Sequence, residues 1–138
     1  TTIDNYATQL RRIYDLSNNI TDSNNIVYRE NIRKKISSYK KQDITKHKLN
    51  PDKIIDFPQT CSLLAESNLL CYYCRCTLLV LFSVKRDMKQ WSLDRINNNL
   101  GHNADNVVIA CLDCNLQRRK LNSNKFKFTK QLVINKQK

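Results

Sequence analysis

Cys71-Tyr-Tyr-Cys74 and Cys111-Leu-Asp-Cys114 are two short thiol pairs with 36 residues between them, and the second pair runs straight into Asn115. Each Cys-x-x-Cys turn can aim two thiolates at one ion, so the two pairs together supply the four ligands of a tetrahedral structural zinc. A site closed by four sulfurs keeps no open position; such a metal staples a fold and does no chemistry itself. Any one pair could equally be buried apolar thiols, which are common in reduced proteins, but two pairs at this spacing favour the metal. Cys76 competes with Cys74 as a ligand, since only Arg75 separates them. Cys61 falls on the core side of an expected helix and reads as a core thiol. Between the pairs stand Trp91-Ser-Leu-Asp94-Arg95-Ile, Gly101-His102 and Asn106-Val-Val, which put a carboxylate, a guanidinium, an imidazole and an amide between the two thiol pairs.

Those residues need elements to hold them. The apolar spacing of Ile3, Tyr6, Ala7, Leu10, Ile13 and Tyr14 predicts an amphipathic helix over residues 3–16, capped by Asp4 or Asn5. A short strand is expected at Ile26–Tyr28 and a second helix at Asn31–Lys41, then a loop over Thr45–Asp56. Pro58 suits the first turn of a third helix over Gln59–Leu70. Strands are expected at Thr77–Val84, Trp91–Ile96 and Val107–Ala110, the last two joined by an Asn-rich loop. The second Cys pair opens a helix through Gln117–Leu121, and Phe126, Phe128, Leu132 and Ile134 form a closing packed segment. The expected fold class is α+β, with a helical N-terminal extension over residues 1–60 and a zinc-stapled domain with a basic C-terminal segment over 61–138. That second domain is small enough to need a metal to hold together.

The net charge of +12, from 24 Lys and Arg against 12 Asp and Glu, points to a polyanionic partner. Residues 118–138 carry eight basic residues and no acidic one, so the charge concentrates beside the second Cys pair. A solvated face that only aids solubility is the other reading of charge alone. An anionic membrane is the weaker partner, because no long basic helix with a clean apolar face is evident. No apolar stretch approaches bilayer-spanning length, and the N-terminus does not resemble a secretion signal. The cysteines are therefore expected reduced, in an intracellular compartment.

Cys71-x-x-Cys74, Ser92-Leu-Asp94-Arg95-Ile, Gly101-His102, Asn106-Val-Val and Cys111-x-x-Cys114-Asn115 together resemble the HNH endonuclease family. The likeness is to its zinc-stapled type, as in phage recombination endonuclease VII and HNH proteins of large DNA viruses, and it covers about Cys71–Leu121. It implies a ββα-metal (His-Me finger) core. It also implies a catalytic divalent ion, usually Mg2+, between Asp94 on the first strand and Asn115 opening the helix; both are oxygen donors suited to a hard cation. Asn106 matches the Asn that pins the loop between the strands. The family's general base is a His directly after the acidic ligand, and here that place holds Arg95, which stays protonated and cannot accept a proton. Arg95 can still clamp a phosphate oxygen, and His102 is the histidine near enough in sequence to replace the base. Arg118, Arg119 and Lys120 are expected to grip flanking phosphates of DNA, or of RNA.

Each residue also has a plainer reading. Asp94 and Arg95 can be a surface ion pair, Asn115 a helix cap, and His102 a solvent-exposed loop residue. Trp91 reads as a core anchor rather than a base-stacking residue. The functions left in competition are a Mg2+-dependent DNA endonuclease and a zinc-stabilised nucleic-acid-binding or virion structural module without turnover. A protein-interaction domain would leave Asp94, Asn106 and Asn115 unexplained, and no thioredoxin-like pattern supports redox chemistry.

Overall fold

Asn5 starts the first helix. In a computed structural model that describes residues 4–136, its side chain accepts from the Thr8 amide at 2.9 Å and α1 runs over Tyr6–Ser17. Ile3 of the expected helix and Lys138 of the basic tail lie outside the described residues. The apolar face of α1, with Ile13 and Leu16 buried, packs against α3, which spans Phe57–Glu66. A capping box opens α3: the Gln59 amide donates to Asp56 Oδ1 at 2.9 Å, and the Asp56 amide donates to Gln59 Oε1 at 3.0 Å.

Between them runs α2, Ile26–Thr45, a single 20-residue helix. The strand expected at Ile26–Tyr28 is instead its first turn. Asn25 is the cause: its Oδ1 accepts from the Asp22 amide at 3.0 Å and its Nδ2 donates to the Ile20 carbonyl at 2.8 Å. That knot delivers the chain into helical geometry, and Tyr28, Ile32, Ile36 and Tyr39 then continue one inward stripe.

Thr77–Val84 also differs from expectation. Leu78 and Val80 are fully buried, but the segment bends from Val80 onward and forms no strand; only single bridges link Leu70 to Thr77 and Leu79 to Gln90. The buried Gln9 side chain takes the place of a partner strand. Its Oε1 accepts from the Val80 and Leu81 amides at 2.8 and 3.1 Å, and its Nε2 donates to the Leu81 carbonyl at 3.2 Å.

The sheet has two antiparallel strands, β1 (Trp91–Arg95) and β2 (Val107–Cys111), with Asp94 opposite Val108. From β2 the chain passes without a loop into α4, Leu112–Arg118. That helix stops short of Leu121 because Arg119 turns the backbone to φ 48°. The last helix, α5, covers Ser123–Lys136; Phe126 packs edge-on against Tyr73 at 5.0 Å, whereas Phe128 and Leu132 are exposed rather than packed. Among the described residues the protein is thus α+β, with five helices and one two-stranded sheet. Ile13 and Ile32 from the N-terminal helices share one buried cluster with Trp91, Leu93 and Ile109, and α3 runs through position 60. Trp91 is wholly buried, its indole Nε1 donating to Asn31 Oδ1 at 3.0 Å.

Candidate functional site

Cys71 and Cys74 lie in the irregular segment after α3, Cys111 ends β2, and Cys114 lies in the first turn of α4. Their four sulfurs come within 4.8 Å of one another, with Cys74 and Cys111 at 3.9 Å. A tetrahedral zinc with bonds of about 2.3 Å needs sulfurs roughly 3.8 Å apart, so the cluster fits a structural zinc with little movement. Backbone amides are already turned toward the sulfurs: Tyr73 and Cys111 donate to Cys71 Sγ at 3.4 and 3.3 Å, and Cys114 donates to Cys111 Sγ at 3.3 Å. Hydrogen bonds from the neighbouring thiols, Cys111 first, lower Cys71, while burial first raises Cys74 and hydrogen bonds to Cys111 and Cys71 raise Cys114, so the four sulfurs share their protons as one cluster. Cys76 closes the turn through its carbonyl, which accepts from the Cys71 amide at 2.9 Å, and its sulfur is outside the four-sulfur set. Cys61 is a buried thiol on α3, raised to about 11 by burial.

The cysteine cluster brings the start of α4 against the segment after α3, and Asn115 follows directly on α4. Its Nδ2 donates to Ser92 Oγ at 3.1 Å and to the Leu93 carbonyl at 3.4 Å, which leaves its Oδ1 without a partner among the described residues. Ser92 and Asp94 lie on the same face of β1. The Asp94 carboxylate, 5% exposed, receives bonds on Oδ2 from the Tyr73 hydroxyl and, at 2.8 Å, from Arg118 Nη1. Its Oδ1 is likewise unbonded among the described residues. Burial and the bond to Asp94 raise the Tyr73 phenol, so it stays a donor.

Arg118 does not have the place expected of a phosphate clamp. It is 2% exposed, and besides Asp94 it donates to the carbonyls of Arg95, of Ile96 at 2.9 Å and of Leu121 at 2.8 Å. Four of its five N–H donors are thereby committed inside the protein. Arg119 and Lys120 are exposed. Arg95 is half-buried and reaches the turn between the strands, donating from Nη1 to the Leu100 and Asn98 carbonyls at 3.1 and 3.3 Å.

Asn106 ties that turn. Its Nδ2 donates to the carbonyls of Asn97 and Gly101 at 3.0 and 2.9 Å, and its Oδ1 accepts from the Asn97 amide at 2.9 Å. His102 follows, and it is buried rather than solvent-exposed, at 4%. Its Nδ1 meets Asp43 Oδ1 at 2.8 Å, its backbone amide donates to Asp43 Oδ2 at 2.7 Å, and the Tyr39 ring packs on it at 4.5 Å. Burial lowers the imidazole below its usual pKa, against the raising effect of Asp43.

Asp94, Arg95, His102, Asn115 and Arg118 all line one cleft of about 1080 Å³, whose mouth also holds Lys46, Lys48, Arg119 and Lys120. With Arg118 paired to Asp94, five further basic residues line the cleft and give it a positive potential. Sequence reasoning missed Asp43, Tyr39 and Tyr73. Asp43 leaves one trace: a carboxylate near the C-terminus of a helix opposes the macrodipole and asks for a reason.

No protein-family model and no solved structure matches the chain. A stretch of 63 residues is 43% identical to an uncharacterized protein of Acanthamoeba polyphaga mimivirus, covering 46% of this chain and 10% of that protein's length. Among the described residues no helix is long and apolar enough to cross a membrane.

Proposed function

We propose that this chain is a metal-dependent DNA endonuclease of the HNH type, with β1, β2 and α4 forming a ββα-metal core stapled by zinc. The observation that carries the reading is the pair of free oxygens, Asp94 Oδ1 and Asn115 Oδ1, on neighbouring elements of a cleft ringed by cations. Asp94 and Asn115 are the residues that would hold Mg2+, both hard oxygen donors. When bound, such an ion supplies Lewis-acid stabilisation of charge on the phosphate and the leaving oxygen. Arg95 is placed to bind a phosphate oxygen with the nitrogens it does not use on the turn, while Arg119 and Lys120 hold flanking phosphates. Reduced thiols for the zinc suit a reducing, intracellular compartment.

The test incubates zinc-loaded protein with supercoiled plasmid and with single-stranded RNA, with Mg2+ added or omitted. Mg2+-dependent nicking that falls about 100-fold or more in Asp94→Ala and in Asn115→Ala is the expected result. Cleavage of RNA alone would move the substrate class. A second reading has its own observation: Arg118 sits on the Asp94 carboxylate and offsets the charge a cation would use. In that reading the chain is a zinc-stabilised nucleic-acid-binding module or virion component, and it binds DNA without cutting under every metal condition.

A further inference from the structure

We propose that Asp43 is a positioning residue that turns the bare Nε2 of His102 into the cleft, making His102 the proton acceptor that Arg95 cannot be. This rests on the nuclease reading for its catalytic half and on the structure alone for its positioning half. An ionised carboxylate only accepts hydrogen bonds, so the proton at the 2.8 Å contact belongs to Nδ1, and Nε2 keeps its lone pair. Nε2 has no partner among the described residues, and the ring lines the same cleft as Asp94 and Asn115.

Three features hold the ring in this state. Asp43 grips it twice, through Nδ1 and through the backbone amide at 2.7 Å, so ring and main chain move together. Tyr39, one helical turn before Asp43 on α2, packs against the imidazole and accepts at its hydroxyl from the Leu93 amide at 3.0 Å, tying the pair to β1. Gly101 is the chain's single glycine, and a Cβ there would lie 2.6 Å from Asp43 Oδ2 and 2.7 Å from the Lys48 carbonyl. Only a residue without a side chain lets the carboxylate reach His102. The charged groups acting on the ring are Asp43 from α2 and Arg95 and Asp94 from β1.

In the step this permits, water attacks phosphorus and its oxygen forms the new P–O bond. Nε2 takes the water's proton, and the scissile P–O electron pair departs with the 3′ oxygen, which is protonated from solvent. The imidazolium then returns its proton to water.

The experiment has two arms on the zinc-loaded full chain. In the first, two-dimensional 15N–1H NMR of the His102 ring in the free protein should show Nδ1 protonated and Nε2 bare, with Asp43→Asn losing that signature and Asp43→Glu retaining part of it. A wild-type ring protonated at Nε2 overturns the positioning role. In the second arm, single-turnover nicking by His102→Gln should fall about 100-fold or more at unchanged DNA affinity. Asp43→Asn should lose at least about tenfold in rate, with partial recovery in Asp43→Glu. A folded Asp43→Asn protein that cuts at the wild-type rate overturns the catalytic half while leaving the nuclease reading intact. A wild-type protein that binds DNA and never nicks removes the nuclease reading instead.

Discussion

Arg118 and Asp94 form a buried pair whose meaning depends on what else binds the carboxylate. With the guanidinium at 2.8 Å and both groups almost wholly covered, deleting one partner leaves the other's charge stranded. Arg118→Met should cost about 3–5 kcal/mol in urea unfolding, since it also releases the carbonyls of Arg95, Ile96 and Leu121. Gly101→Ala tests a different force, steric exclusion. With Asp43 Oδ2 only 2.6 Å from the added methyl, the carboxylate or the turn must shift, at about 1–3 kcal/mol, read from the denaturant midpoint. Asn106→Ala would remove three hydrogen bonds from the same turn, a pinning role that the family resemblance implied for Asn106, whereas the need for Gly101 came only with the fold.

A metal held by the four sulfurs would support the junction of β2 and α4 more than its own pairing does. Two five-residue strands make a hairpin that is marginal by itself, and α4 has only seven residues. Four sulfurs drawn from three places in the chain clamp these pieces together. One zinc per chain is expected by elemental analysis, and Cys114→Ser should lower that stoichiometry and the melting temperature together. Chelation should abolish the near-UV signal of the buried Trp91 on β1 while much of the far-UV helix signal from α1 and α2 persists. A metal-free protein with an unchanged melting curve would remove the staple. α2 shows the opposite dependence: its stripe of Tyr28, Ile32, Ile36 and Tyr39 is a sequence property, and only its start was hidden, by side-chain bonds of Asn25.

Charge acts over the molecule as a unit. Lys46, Lys48, Arg95, Arg119 and Lys120 face the cleft from α2's end, β1 and the turn after α4, so a strand laid across it meets about five cations. For the proposed DNA binding, counterion release predicts a slope of log affinity against log salt of roughly −4 to −5, to be measured by fluorescence anisotropy with a short duplex. Arg119→Ala with Lys120→Ala should lower the magnitude of that slope by about 2, while Arg118→Met should leave it nearly unchanged because its guanidinium is not exposed. Equal effects from all three would show that Arg118 leaves Asp94 to bind phosphate.

Local chemistry made the cysteine pairs, the capped start of α1, the two strands and the basic balance legible from residue order, because spacing and side-chain type decide each within a few positions. Thr77–Val84 was misread for want of a distant partner: Gln9, 71 residues away from Val80, satisfies its backbone. The same holds at the site. That Asp94 lies on the first strand and Asn115 on the helix after the second follows from the chain's order, but Arg118's burial exists only once α4 packs on β1, and the meeting of Asp43 with His102, 59 positions apart, only once the end of α2 reaches the turn between the strands. Burial and long-range contact are sums over the whole packing, and no local window of sequence contains them.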